Sequence, residues 1–323
     1  MRPLCKVLAD NVDITDVLNR RLISIKTTDE AGIKSDTCTI DLDDRDGVIE
    51  LPRRGVKLSV WLGYEQTGLV KIGIYTVDEV SMSGFPEVIS INAKAADMRG
   101  DLKAPKTRYF DNMTLGALVE TIAGANSLIG KTSAALASVL LGHVDQTQES
   151  DLNLLTRLAK KYGGVAKVTN DHLIVAKAGE SKSVSGASLD TILIDKRQVS
   201  SYHASITERG SYAAVTASYH DKLTAQDVAI STSEDKPAFV LRHTYDTRQQ
   251  ALEAAQAKKA ALDQGTATVD VSLSIGNGNL FAESPLLLTG FRSGISGVGW
   301  TATRVEHSFS SAGFITTVNG EIK

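Results

Sequence analysis

Apolar and polar positions alternate through the first part of the chain, up to about residue 100. Val56, Leu58, Val60 and Leu62 share one face, as do Ile72, Ile74 and Thr76, and again Ile89, Ile91, Ala93 and Ala95. A period of two is what a strand with one buried face imposes. The stretches Asp43, Asp44, Arg45, Asp46, Gly47 and Pro52, Arg53, Arg54, Gly55 supply turns between such strands. Short antiparallel strands at this spacing predict a barrel or sandwich.

The period then changes. Leu115, Leu118, Val119 and Ile122 mark one face of a helix, with Thr114 placed to cap it. A second helix is predicted over about 150–162, with Leu152, Leu155, Leu158, Ala159 and Tyr162 as its buried stripe. Glu149 and Asp151 at its start and Arg157, Lys160 and Lys161 near its end suit the helix dipole, and Gly163 and Gly164 end it. Residues 165–178 read as a hairpin turning at Asn170 and Asp171. β character returns over 182–245. A third, Ala-rich helix spans about 248–264, with Thr247 and Gln250 in a capping-box pattern and Gly265 as its stop. The last stretch, 267–322, is again β.

The two β regions resemble one another. Sliding the first along the last without a gap puts Gly63 on Gly290, Tyr64 on Phe291, Thr76 on Thr303, Glu79 on Glu306 and Ser81 on Ser308. This suggests two copies of one barrel.

Composition narrows the class. A chain of 323 residues exceeds what one core usually serves, so two or three domains are expected. The formal net charge is -3 and Lys and Arg are spread evenly, without the basic footprint of a nucleic-acid binder. The longest apolar runs, such as Leu286, Leu287, Leu288, are too short to span a bilayer, so no membrane insertion is expected. The start lacks the apolar core of a secretory signal, so the protein is expected to be made and kept in a cytoplasm until something releases it. Cys5 and Cys38 have no metal-binding spacing; Cys38 sits in an alternating stretch as a small core residue, and a disulfide is not expected.

Candidate chemistry is thin. The segment 125–132, ending Gly130, Lys131, Thr132, resembles a phosphate-binding loop, and 191–195 could pose as its magnesium strand. Such a loop needs a strand before it and a helix after it, whereas here a helix precedes it. It reads as an interhelical loop. Residues 41–50 resemble a calcium loop, but Arg45 falls on a ligand position and Gly47 comes one place late. His143, His172, His203, His220, His243 and His307 show no zinc-pair spacing. His220 and Asp221 lack a GxSxG partner, no carboxylate pair stands out, and the Gly-rich 294–299 reads as a hairpin turn. No catalytic, cofactor-binding or metal-binding residue is assigned, and no cofactor is expected.

One segment is specific: Gln146, Thr147, Glu149, Ser150, Asp151, Leu152, Leu155, Arg157, Leu158 and Ala159, followed by Tyr162 and Gly163. With Gly73, Ile74, Tyr75, Thr76, Val77, Asp78, Glu79, Val80 and with Gly290, Phe291, Trp300, Arg304, Val305, Glu306, His307, it resembles the phage late control protein D family. These are the tail hub proteins of contractile phages and phage-tail-like bacteriocins. The likeness runs in order over nearly the whole chain.

The resemblance implies an α+β, mainly β fold: two antiparallel β-barrels with an inserted α/β domain. The implied divisions are 1–100 for the first barrel, 101–180 with 222–265 for the middle domain, and 181–221 with 266–323 for the second barrel. It also implies a homotrimeric ring in the baseplate of a virion tail or tail-like particle. That ring would adapt a sixfold tail tube to a threefold spike. Relatives in secretion machines continue into further domains, whereas this chain ends at Lys323, so a separate trimeric spike protein is the expected partner, beside tail tube or baseplate proteins. A structural adaptor without enzymatic activity is the leading expectation. The rivals are a tail-associated cell-wall hydrolase, separable by a peptidoglycan-cleavage assay, and a host-surface adhesin, separable by co-purification with a spike.

Overall fold

The computed structural model describes residues 1–31, 35–95, 102–169, 171–177, 190–206, 212–221, 224–264 and 267–322. Asn170, Gly265 and the stretch 181–189, on which sequence expectations fell, lie outside them.

The first region holds β1 (Pro3–Ala9), β2 (Val12–Asp13), α1 (Thr15–Asn19), β3 (Leu22–Glu30), β4 (Thr37–Asp43), β5 (Lys57–Tyr64), β6 (Gly68–Ser83) and β7 (Val88–Lys94). The middle region holds β8 (Pro105–Thr114), α2 (Leu115–Ala125), β9 (Ile129–Thr132), α3 (Ala134–Ala137), β10 (Leu140–Ser150), α4 (Asp151–Lys161), β11 (Gly164–Thr169) and β12 (His172–Lys177). Then come β13 (Ile192–Asp195), β14 (Val199–Ile206), β15 (Ala214–Asp221), β16 (Gln226–Ser231), β17 (Ala238–Tyr245) and α5 (Arg248–Gln264). The chain closes with β18 (Ala267–Leu273), β19 (Pro285–Thr289), β20 (Gly299–Ser310) and β21 (Gly313–Ile322).

On β5 and β7 the alternation read from the sequence is the burial pattern observed; on β6 it is not, for the β5/β6 ladder slips opposite Gly73, and beyond Ile72 it is Tyr75 and Val77 that are buried while Ile74 and Thr76 are only half-buried. Leu58, Val60 and Leu62 on β5 and Ile89, Ile91 and Ala93 on β7 point into one core with Cys38, Ile40 and Tyr75. A second core, around Trp300, Val305, Val269 and Leu288, serves the last region. These two regions do not stand as separate sheets. Among the described residues a single 13-stranded sheet runs through both, joined where β20 pairs antiparallel with β3, Val305 opposite Asp29 and Ser310 opposite Ser24.

Within that sheet a six-strand order recurs. The first region runs β3-β4-β7-β6-β5-β1 and the last runs β14-β18-β21-β20-β19-β13. Irregularities recur with it. The β6/β7 ladder slips between Val77 and Glu79, and the β20/β21 ladder between Ala302 and Arg304. The β3/β4 ladder slips between Leu22 and Ser24, and the β14/β18 ladder between Val199 and Ser201. Val77 exchanges backbone hydrogen bonds with Gly55 and Val56; Ala302 does so with Glu283 and Ser284. Gly55 and Glu283 both have positive φ, 95° and 67°. Bulges are positional features of a sheet, so matched bulges fix the correspondence. Val77 answers to Ala302, and Thr76 therefore to Thr301 rather than to Thr303 as in the ungapped comparison. The copies differ at the end of the order, where β1 joins β5 antiparallel but β13 joins β19 parallel.

The middle region packs α2 and α4 on short sheets. The Thr114 hydroxyl accepts from the Ala117 amide, as the sequence predicts. On α4, Leu154, Leu155, Leu158 and Ala159 are buried, whereas Leu152 is only half-buried. The apolar stripe therefore includes Leu154, which the sequence reading left out. The hairpin is present as β11 and β12. Residues 129–132 are not a loop: β9 pairs parallel with β12, Lys131 opposite Ile174. β15, placed by the expected boundary at 221 in the second barrel, pairs instead with β16 and β17 and packs under α5 through Val215, Ala217, Ala251 and Ala255.

Candidate functional site

The specific segment at 146–151 builds a buried polar network. β10 bulges between Gln146 and Glu149 against β8, with Gln148 at φ 47° and its amide donating to the Thr107 hydroxyl at 3.2 Å. The bulge ends on Ser150, whose hydroxyl caps α4 by accepting from the Asn153 amide. Asp151, at the first position of α4, is fully buried. Its carboxylate accepts from Lys106 Nζ (2.8 Å), Arg108 Nη2 (2.5 Å), Gln146 Nε2 (2.9 Å) and Asn126 Nδ2 (3.2 Å). Burial alone would raise its pKa. The hydrogen bonds from Lys106, Gln146 and Asn126 and the charge of Arg108 outweigh that and hold it below the usual carboxylate range.

Gln146 and Glu149 are engaged in further contacts. Gln146 also donates to the Glu149 carbonyl and accepts from Arg108 Nε, both at 2.8 Å. Glu149 holds Arg157, which also donates to the Asp145 carbonyl. The sequence reading took Asp151 as a charge near a helix dipole. The pattern that marks it is Lys106 and Arg108, two residues apart on one face of β8, which supply a buried carboxylate with two cations.

The other two matching segments are also structural. Trp300 is fully buried and donates from Nε1 to the Ile295 carbonyl at 3.0 Å. His307 is buried between the Thr316 hydroxyl and the Leu280 carbonyl, and burial pushes its pKa down to about 4. Tyr75 lies in the first core.

A second buried charge cluster ties the middle region to the sheet. Lys167 on β11 donates to Asp29 (2.5 Å) and to the Glu30 carbonyl (2.6 Å), and pairs with Asp36 at 2.7 Å. The second Asp29 oxygen accepts from the Ala282 amide, so one cation links three distant stretches of chain. Burial, and then the nearby Asp29 charge, raise Asp36 to about 7. Burial works against the charged form of Lys167, but Asp29 and Asp36 more than offset it, and its pKa is raised.

The remaining sequence candidates fall apart. A Cβ on Gly130 would meet the Glu120 backbone at 2.8 Å, so helix α2, not a phosphate cradle, lies against that strand. Asp195 caps the short 3-10 turn Lys196–Gln198 and is held by Arg197. In 41–50, Asp43 is taken by Arg45, Asp46 by Arg21, and Asp44 by the Ile49 amide. His220 pairs with Asp227 on the surface. Among the described residues no group of His, Cys, Asp and Glu could hold a metal ion, and no helix is long and apolar enough to cross a membrane.

Known proteins resemble this chain in both sequence and fold. Residues 88–313 match the family described as the phage tail baseplate hub (GPD). The probable baseplate hub protein of Escherichia phage P2 is 32% identical over all of this chain and 94% of its own length. Among solved structures, the 43 kDa tail protein of prophage MuSo2 from Shewanella oneidensis superposes with a TM-score of 0.73 at 14% identity, covering 98% of each chain. A tail protein from Neisseria meningitidis does so at 0.69 and 12%, over 99% of this chain and 97% of that one. At such identities these two neighbours speak for the fold alone. A full-length relative at nearly a third identity and a family match across most of the chain speak for more: the chain belongs to the phage tail baseplate hub (GPD) family, structural components of the virion tail.

Proposed function

We propose that the chain is a structural adaptor at the centre of the baseplate, three copies closing a ring that joins a sixfold tail tube to a trimeric spike. The observation that carries this reading is the recurring six-strand order. Two equivalent units per chain, taken three times, present six quasi-equivalent faces to a sixfold partner and three to a threefold one. On this reading each six-strand unit curls into a barrel, the first within 1–100 and the second from 190–206 with 266–323. The inserted α/β part is 101–180 together with the stretch from β15 to α5.

No catalytic role is proposed. The residues that distinguish the chain, Gln146, Glu149, Asp151, Arg157 and His307, are engaged in internal hydrogen bonds rather than aimed into a cleft. Light scattering on the hub–spike complex is expected to give three copies of this chain. A stable dimer, or a single copy per spike, would overturn the ring. Peptidoglycan cleavage by the purified chain would shift the reading to a hydrolase.

A further inference from the structure

The recurring order pairs an edge that is used within the chain with an edge that is not. In the last region, β20 leaves β19 after Thr301 and turns its freed edge to β3, from Arg304 onward. In the first region, β6 pairs with β5 through Thr76. Beyond the bulge, residues 79–83 pair with β7 on one side; on the other side no strand lies among the described residues. The counterpart of β3 is β14, which pairs with β18 and ends the sheet, its outer edge unpaired among the described residues.

The side chains at these edges carry the same message. Within the chain, Val305 and His307 of β20 and Ile25 and Thr27 of β3 are at most 1% exposed. Through the matched bulges, Val80 and Met82 answer to Val305 and His307, and Tyr202 and Ala204 to Ile25 and Thr27. Met82 is 67% exposed, Tyr202 40%, and Ile206, the counterpart of Asp29, 62%. Large apolar side chains thus lie bare on both unpaired edges; the positions answering to Met82 and Tyr202 are buried where the same junction is made, and the one answering to Ile206 is half-buried. An unpaired, apolar strand edge is a template for a further strand.

We infer that β14 of one copy pairs antiparallel with residues 79–83 of β6 in the next copy, reproducing between chains the β20–β3 junction within the chain. The inference rests on the ring reading above and names its contact. Copying the internal register sets Val80 opposite Ile206, Ser81 opposite Ser205, Met82 opposite Ala204 and Ser83 opposite His203. The inward pairs are apolar on both sides and the outward pairs polar on both sides. The contact is head-to-tail, each copy offering one edge of each kind, so it repeats from copy to copy and gives a closed ring of three when each contact turns the chain by a third of a circle.

Opposed residues of an antiparallel pair have Cα atoms about 4.5–5.5 Å apart, within disulfide range. The test uses assembled particles carrying the full chain with Ser81→Cys and Ser205→Cys, oxidised and run on a non-reducing gel. Covalent dimers and closed trimers, reversed by thiol and absent from each single variant, are expected. Ser83→Cys with His203→Cys is a second in-register pair should the first assemble poorly. In unmodified particles, amide exchange over 79–83 and 201–206 should slow at least about tenfold relative to the free chain. Three copies per hub without a cross-link from either pair, or a cross-link to a different protein, overturns the pairing and leaves the ring standing. A copy number other than three overturns the ring, and the pairing with it.

Discussion

Replacing Asp151 by Leu removes one carboxylate and strands two cations. Lys106 and Arg108 lose the partner that both contact, at 2.8 and 2.5 Å. Breaking a buried pair from one side costs about 3–5 kcal/mol. Here the side chains of Lys106 and Arg108 are 23% and 32% exposed, so the stranded charges can turn partly to water, and the low end applies, about 3 kcal/mol. Gln146 and Asn126 keep a partner each, the carbonyls of Glu149 and Ile122, and add little. The readout is amide exchange along α4, which reports its local opening free energy; protection should fall about a hundredfold. The decisive variant is the triple one, Asp151→Leu with Lys106→Met and Arg108→Met. With no charge left to desolvate, protection should return to within about 1 kcal/mol of the parent, the remainder being Gln146 Oε1 without Arg108. Unchanged protection in the single variant would refute the view that the carboxylate neutralises these cations. A triple variant as unprotected as the single one would show that the network supplies geometry, not charge balance.

Leu155→Asp should unfold the middle region, at a cost of several kcal/mol for a carboxyl in a fully apolar site, while Lys160→Glu on the exposed face should change α4 protection by only a few tenths of a kcal/mol; native-like exchange in Leu155→Asp would mean the helix face is wrong. Calorimetry should detect no ATP binding, and Lys131→Ala should leave assembly intact, since residues 129–132 form a strand against α2; micromolar ATP binding abolished by that change would reverse this. His307 is neutral in the folded chain, with a pKa of about 4 against 6.5, so its contribution is present above pH 6.5 and lost as pH falls through 4, on the order of 3 kcal/mol in full. Asp36, raised to about 7, titrates in the same window with the opposite sign, its contribution being lost as pH rises through 7. The measurement is therefore the difference between the parent and His307→Gln, each in a Trp61→Phe background, from urea midpoints read by Trp300 fluorescence; a difference that does not change between pH 7 and 4 refutes the assignment.

Local structure was largely readable from the sequence because local rules produce it. The helix faces around Leu118 and Leu155, the Thr114 cap and the β11–β12 hairpin follow from period, capping and turn residues within a few positions. What escaped depends on distant partners. A four-residue strand such as β9 has too little length to show a period, and only pairing with β12 makes it a strand. Leu154 is buried because β-structure covers α4 more widely than one stripe requires. The six-strand repeat was only half visible: Val77 answers to Ala302, but Cys38 to Val269 and Thr27 to Ala204, so inserted lengths differ and no single ungapped shift can display it. Asp151 was misread because its cations come from a strand 43 and 45 residues earlier in the chain.

The β20–β3 junction also dictates how the chain must be made. β3 emerges from the ribosome among the first strands, while its partner segment at 304–310 is almost the last. At about 5–20 residues per second, the edge of β3 waits on the order of 15–60 s for its partner. During that interval it is an open strand edge on a nascent chain, often with sibling chains on the same message. Lys26, Asp29 and Glu30 on that strand are the kind of charges that deter premature pairing. Lys26 later meets Glu306 from β20, and Asp29 meets Lys167. The same charges that guard the waiting edge are thus neutralised as the correct neighbours arrive, which sets the native partner strand apart from strands that lack the matching charges.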